Sequence, residues 1–327
     1  MIRLFLISLV LLCATGAWAG CSGTDLRQRL TPQYEARLKT EVAKVPFAYG
    51  NHWIAKKGNQ SIHVVGTQHF GDSRMRSVMR ILTPVIAKAD AVLLEVTKRQ
   101  MSTFWEDMRK DPSAIMITSG KTIDEMLSAE DWQRLRIALA DTGLSDQQAA
   151  RLQPWLLSFY LSRSGCGGRG IGPSAGLDDR IERAAARNRV PVGGLENTGS
   201  GMKMLARQPM RDQLKLLQMD LRSSLNSDDQ IVTLSAAYFE EALAEARIVQ
   251  EWTMYRDLDV PRNEVIRLLR QFDALILDRR NRAWIPVIQR TKGDLLVVAV
   301  GAAHLPGRVG VLNLLKAQGY TLERAAF

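Results

Sequence analysis

Cysteine and histidine are scarce in this sequence. Three cysteines in 327 residues are too few for a disulfide scaffold, and four histidines are few enough to weigh one by one. There is no His-Glu-x-x-His, no Cys-x-x-Cys and no phosphate-binding P-loop, so the common zinc-protease, redox and nucleotide signatures are missing. Long basic runs are also absent, as is any alternation of aromatic with basic residues. Lys and Arg outnumber Asp and Glu by 44 to 34, but this excess is scattered, as in Arg180, Arg183, Arg187 and Arg189. It reads as a solvated surface, and no nucleic acid is expected as a partner. The apolar run Leu4–Cys13 has ten residues, short of the roughly 20 that span a bilayer. No later segment is longer, so no transmembrane helix is expected.

What remains is ordinary globular composition, 46% hydrophobic and 24% charged, with ample material for a core. Arg3, the apolar run and Ala17-Trp18-Ala19 together have the form of an export signal over residues 1–19. The expected location is therefore periplasmic or secreted. Loss of the signal removes Arg3 and Cys13, leaving a net charge of +9 and two cysteines, Cys21 and Cys166. In an oxidising compartment these would pair. Such a bridge closes 145 residues, worth on the order of 4–5 kcal/mol in the chain-entropy account. The alternative is a lipid anchor on Cys21, for which Trp18 is a poor preceding residue.

The mature chain, residues 20–327, reads as one α/β domain with a central, mostly parallel sheet and helical insertions at about 102–161 and 202–277. Phe47–Ile54 and Ser61–Val65 flank Lys56-Lys57-Gly58-Asn59 and predict a hairpin. Ser73–Ala89 carries a helical stripe, with Asp72 or Ser73 as its cap. Ala91–Val96, Val190–Leu195 and Asp294–Val300 read as buried strands, and Tyr320–Arg324 as a last one. Strand, helix, strand over 61–96 predicts a parallel unit.

Two segments resemble each other. Val64–Gly71 is VVGTQHFG and Ala299–Gly307 is AVGAAHLPG. Each is an apolar strand, Gly-x-x-His, then a turn toward a helix. Glycine is expected there to let the chain bend sharply. In an open parallel sheet, ligands bind beyond the carboxyl ends of the strands. His69 and His304 follow two such ends, while Glu95 and Glu196 lie at two more. Two imidazoles and two carboxylates converging there suit a divalent ion such as Zn²⁺ or Mn²⁺. A bound water would then ionise near pH 7, and a free carboxylate could take its proton. Without a metal the same groups could serve as acid and base. Glu95 sits within AVLLEV, where a buried acid needs a partner. His52 and His63 lie in the hairpin and read as structural or surface residues.

Other matches are weaker. Gly172–Gly176 satisfies Gly-x-Ser-x-Gly and Gly165–Gly170 satisfies Gly-x-Gly-x-x-Gly, but neither follows an apolar strand. Arg279, Arg280 and Asn281 lie in a helical pattern that Pro286 is expected to kink or end. One arginine there could reach the same rim and hold an oxyanion or a carboxylate.

These residues together resemble the TraB/PrgY/GumN family, related to the TIKI-type proteases. The resemblance is carried by Gly66-Thr67-Gln68-His69, Glu95 in LLEV, Leu195-Glu196, Arg280-Asn281 and VGAAHLPGRVGVLNLLKAQGY near the end. Asp178 in GLDDRI and Pro154-Trp155 fit it too. It implies an erythromycin-esterase/ChaN-like fold. From the animal members it implies metal-dependent peptide hydrolysis, with Zn, Mn or Co on the Gly-x-x-His histidines and the glutamate. On that expectation His69, Glu95 and His304 hold the ion. Glu196 is its neighbour or the base, Arg280 stabilises developing negative charge with Asn281 beside it, and the substrate is a peptide or protein. The rival from the ChaN-like relatives is an exported haem- or iron-binding protein, and from the esterase relatives a metal-free hydrolase. The oligomeric state is left open.

Overall fold

The strand Leu295–Gly301, LLVVAVG, is apolar at almost every position because it lies at the centre of the sheet with both faces covered. Val297 and Ala299 point to one layer of helices, and Leu296, Val298 and Val300 to the other. The computed structural model describes residues 23–69, 71–161, 176–197, 200–223, 227–258 and 260–327. The expected leader, the two cysteines Cys21 and Cys166 and the two glycine-rich matches at 165–176 lie wholly or mostly outside these residues.

Six strands form one sheet: β1 (His52–Lys57), β2 (Gln60–Thr67), β3 (Ala91–Leu94), β4 (Val192–Gly194), β5 (Leu295–Gly301) and β6 (Thr321–Arg324). Their order is β4-β3-β5-β2-β1-β6. β2, β3, β4 and β5 run parallel, while β1 pairs antiparallel with β2 and with β6. The expected mixed α/β architecture with a mostly parallel sheet is what the chain adopts. The parallel unit over 61–96 takes a wider form than its sequence order suggests, because β5 is inserted between β2 and β3.

One face of the sheet is covered by the helices Met75–Ile86 and Leu177–Arg187. Met75, Val78, Leu82 and Ile86 fall on one stripe and meet Leu177, Ile181, Ala184 and Ala185. The first of these helices begins later than its periodicity suggests. Asp72 accepts the Arg74 N–H at 2.8 Å and so closes the turn before the helix rather than capping it. The other face is covered by Arg279–Arg290 and Val311–Ala317, through Trp284, Ile285, Ile288, Val311, Leu312 and Leu315. Pro286 lies inside the first of that pair without ending it. Each fully buried aliphatic side chain in these layers contributes roughly 1.5–3 kcal/mol.

The helical insertions have a core of their own. Leu135 and Leu139, Trp155 and Leu157, and Leu217 come from three helices separated in sequence and are buried together. Asp131 and Arg222 join the two insertions, with Arg222 Nε donating to Asp131 Oδ1 at 2.9 Å. Among the described residues, no helix is long and apolar enough to cross a membrane.

Candidate functional site at the strand ends

Because β2, β3, β4 and β5 are parallel, their carboxyl ends lie along one edge of the sheet. The residues that follow them, His69, Glu95, Glu196 and His304, are delivered to that edge. The register sets Thr67 of β2 beside Gly301 of β5, so the two Gly-x-x-His segments are neighbours. Neither glycine is there for a left-handed bend, since neither Gly66 nor Gly301 has positive φ. Close approach is the reason instead. A Cβ on Gly66 would come within 2.8 Å of Leu305 Cδ1, and one on Gly301 within 3.1 Å of Glu95 Oε1.

Arg280 stands at the centre. It projects from the Arg279–Arg290 helix, just past a π-helical turn at Ala274–Asp278, a device that re-aims a helix face. Its Nε donates to Glu196 Oε2 at 3.0 Å, and its Nη2 donates to Glu196 Oε1 at 2.8 Å and to Glu95 Oε2 at 2.7 Å. Its Nη1 donates to the Ile276 carbonyl at 3.2 Å and faces His304 Nε2 at 3.3 Å. A guanidinium has five N–H donors, and each of these five contacts takes one. Arg280 thus holds two like-charged carboxylates side by side and supports their ionisation before anything else binds.

Glu95 also accepts the Gly301 N–H at 2.5 Å through Oε1. Burial opposes its ionisation, but His304, Arg280, His69 and that N–H outweigh burial and hold it down at about 2. Glu196 moves the other way. Burial raises its pKa against the pull of Arg280. Its backbone carbonyl is held by Gln100 Nε2 at 2.7 Å.

The two histidines differ in setting. His304 is buried, and its Nδ1 lies 2.6 Å from Asn281 Oδ1. Asn281 Nδ2 donates to the carbonyls of Val309 at 2.9 Å and His304 at 3.3 Å, which fixes Oδ1 as the acceptor. His304 Nδ1 therefore carries the hydrogen, and Nε2 keeps its one lone pair. Nε2 is 3.6 Å from Glu95 Oε1. Burial lowers the His304 pKa to about 4, with Glu95 opposing. His69 is exposed, with 72% of its side chain accessible. Its Nδ1 pairs with Asp178 Oδ2 at 2.8 Å, and Thr67 Oγ1 donates to the other oxygen of Asp178. The Asp178 charge, with its hydrogen bond, raises the His69 pKa to about 9. Burial would raise the pKa of Asp178, but His69 and Thr67 outweigh it and lower it.

The structure thus gathers Glu95, Glu196, Arg280, Asn281 and His304 in direct contact, with His69 on the adjoining strand end tied to Asp178. His52 and His63 lie apart in the hairpin, bonded to each other at 2.9 Å. Thr67, Gln100, Trp284 and Tyr238 are supports that residue patterns alone do not single out. Trp284 is one turn beyond Arg280, its ring 4.8 Å from the guanidinium and 4.5 Å from the His304 ring. That i, i+4 spacing is the one signal that could have found it. Tyr238 donates its hydroxyl to the Gly66 carbonyl at 2.9 Å, holding the first Gly-x-x-His segment from a helix far along the chain.

The TraB/PrgY/gumN family profile matches residues 51–324, which spans every strand of the sheet and every residue of this site. The chain belongs to the TraB/PrgY/gumN family. It is similar to YbaP of Escherichia coli (strain K12), described as an uncharacterized protein, at 25% identity over 277 residues, covering 82% of this chain and 94% of YbaP. YbaP of Shigella flexneri matches with the same identity and coverage.

Among the described residues, no three His, Cys, Asp or Glu side chains gather closely enough to hold a metal ion. By kind, however, the donors fit a divalent ion. Both imidazoles are tied at Nδ1, one to a carboxylate and one to an amide, which is how ligating histidines are commonly oriented. A carboxylate, Glu95, lies beside His304.

Proposed function

We propose that this member of the family is an exported hydrolase that cleaves peptide bonds at the edge formed by β2, β3, β4 and β5. The observation that carries the reading is the meeting of Glu95, Glu196 and His304 around Arg280, with His69 on the neighbouring strand end. Separate stretches of chain supply these groups, and titratable groups with shifted pKa values gathered in this way are characteristic of functional sites. The leader-like residues 1–19 support export to the periplasm or beyond.

In this reading His69, Glu95 and His304 would hold a divalent ion, Zn, Mn or Co. When bound it supplies a water that ionises near neutral pH. The chain's own residues supply the rest. Asp178 and Asn281 hold the two imidazoles at Nδ1. Glu196, whose pKa burial raises, would take a proton and return it to the leaving amine. Before an ion binds, Arg280 keeps Glu95 charged. One observation favours a second reading, a hydrolase that works without an ion: Arg280 already provides a cation in contact with Glu95 and His304.

Elemental analysis of the purified mature protein, followed by digestion of a peptide library with and without chelator, tests the proposal. Chelator-sensitive cleavage, lost in Glu95→Gln, is the expected result. Cleavage that survives chelation supports the ion-free hydrolase. No cleavage, together with a visible absorption band on haem addition that is lost in His69→Ala, would replace both readings with a binding protein.

A further inference from the structure

We propose that Arg280 and a divalent ion are alternative cations for Glu95 and His304, so that the ion binds only when the guanidinium leaves. This rests on the metal-dependent reading above. The argument is one of lone pairs. His304 Nδ1–H is committed to Asn281 Oδ1 at 2.6 Å, so Nε2 has a single lone pair, and that lone pair faces Arg280 Nη1 at 3.3 Å. A lone pair that accepts an N–H cannot also ligate a metal. Glu95 is engaged as well, with Oε2 bonded to Arg280 Nη2 at 2.7 Å and Oε1 to the Gly301 N–H at 2.5 Å, but each carboxylate oxygen keeps a second lone pair. Two of the three expected ligands therefore face the arginine, and at His304 the guanidinium takes the one lone pair that an ion would need.

Charge points the same way. Arg280 is the cation in contact with both Glu95 and Glu196, and their like charges repel without it. An ion at Glu95 and His304 would take over that neutralising role. It would also stand against the guanidinium in a partly buried site, where like charges repel strongly. The arrangement can satisfy one cation at a time. Arg280 is thus a gate on metal loading, set by its place two residues beyond the π-helical turn whose Ile276 carbonyl holds Nη1 at 3.2 Å.

The test uses Mn²⁺ alone with the full purified chain, read by titration calorimetry and by thermal melting. Arg280→Met should bind Mn²⁺ at least tenfold more tightly than wild type. Its melting temperature should be lowered without the ion and restored by it, while the wild-type melt moves little. If Arg280→Met does not fold alone, the double variant Arg280→Met/Glu196→Gln removes one charge of each sign, and the same tightening is expected of it. Equal Mn²⁺ affinity in wild type and variants overturns the gate but leaves the metal reading standing. No binding in any of them overturns both.

Discussion

Asn281 holds His304 in one tautomer: its Oδ1 accepts the Nδ1–H at 2.6 Å, while its Nδ2 is fixed by the carbonyls of Val309 and His304. The relationship is local, since Asn281 follows Arg280 on the same helix. One turn of the Arg279–Arg290 helix therefore sets both the cation of the site and the orientation of its buried imidazole.

Asn281→Asp tests that relationship. A carboxylate beside Nδ1 favours the charged imidazole, as Asp178 does for His69. The His304 pKa should rise above its value of about 4. The carboxylate also faces two carbonyls that have lost their donor, so the fold should lose about 1–3 kcal/mol. Ring ¹⁵N chemical shifts followed through a pH titration, with urea denaturation alongside, measure both effects. An unchanged His304 titration would show that Asn281 does not govern the ring.

Asp178→Asn should move His69 the other way. Without the carboxylate the imidazole loses the main force raising its pKa, which should fall from about 9 toward the ordinary 6.5. The sign follows from linkage. A histidine raised on folding contributes stability that is complete below pH 6.5 and is lost as pH rises to about 9. Asp178, lowered on folding, contributes above 3.8 and loses its contribution as pH falls below that. The pair therefore acts between those limits, and weakly, because His69 is exposed and solvent screens it. NMR titration of His69 in both proteins decides the matter, and a pKa that stays near 9 in the variant would sink it.

Much of this site is legible in the chain because strand-end geometry is a local signal. The apolar runs ending in Gly66, Leu94 and Gly301 announce parallel strands, and parallel strands put whatever follows them on one edge. His69 and His304 follow from that together with their shared Gly-x-x-His context, and Glu95 and Glu196 from their places at two more strand ends. The setting of Arg280 does not. Ile276 is one helical turn before it, but its other acceptors, Glu95, Glu196 and His304, are separated in the chain and no spacing rule connects them to it. The shared core of the insertions is hidden for the same reason. Helical periodicity shows that Leu135, Leu157 and Leu217 face inward, but not that they face each other. The reason for the glycines also differs from the one the sequence suggests. A sharp bend and a close approach leave the same residue type in the chain, and the φ angles together with the distance from Gly301 to Glu95 tell them apart.

The hairpin histidines make stability depend on pH. His52 Nδ1 lies 2.6 Å from the Ala326 carbonyl and so carries the hydrogen, which leaves His52 Nε2 to accept from His63 Nδ1 at 2.9 Å. Burial, with His52 and Lys56 nearby, lowers the His63 pKa to about 4. The unfolded chain then binds the extra proton first. Stability is complete above pH 6.5 and declines as pH falls toward about 4. At about 1.4 kcal/mol per pKa unit the full shift would correspond to about 3.5 kcal/mol, and because His63 is only partly buried solvent screening reduces the loss to about 1–2 kcal/mol. His63→Gln should flatten that part of the stability–pH curve relative to wild type. Denaturation curves at several pH values between these limits measure it, and parallel curves for the two proteins would contradict the assignment.

Gly301→Ala probes the contact between the two Gly-x-x-His segments and Glu95. The new methyl would lie 3.1 Å from Glu95 Oε1 and 3.6 Å from His304 Cδ2, so the carboxylate must give way by a few tenths of an ångström. The backbone itself is unstrained, because φ at Gly301 is −49° and ordinary for alanine. The N–H that bonds Glu95 is also retained. The cost to the fold should therefore be small, about 1 kcal/mol, as for mild overpacking. The cost to the site should be larger, because Glu95 is displaced relative to His304 and Arg280 together, and small misplacements of reacting groups cost up to about a hundredfold in rate. Peptide cleavage falling at least tenfold while the urea midpoint barely moves is the expected pair of results. Cleavage at the wild-type rate would show that the position of Glu95 does not limit the reaction, and would remove it from the proposed chemistry.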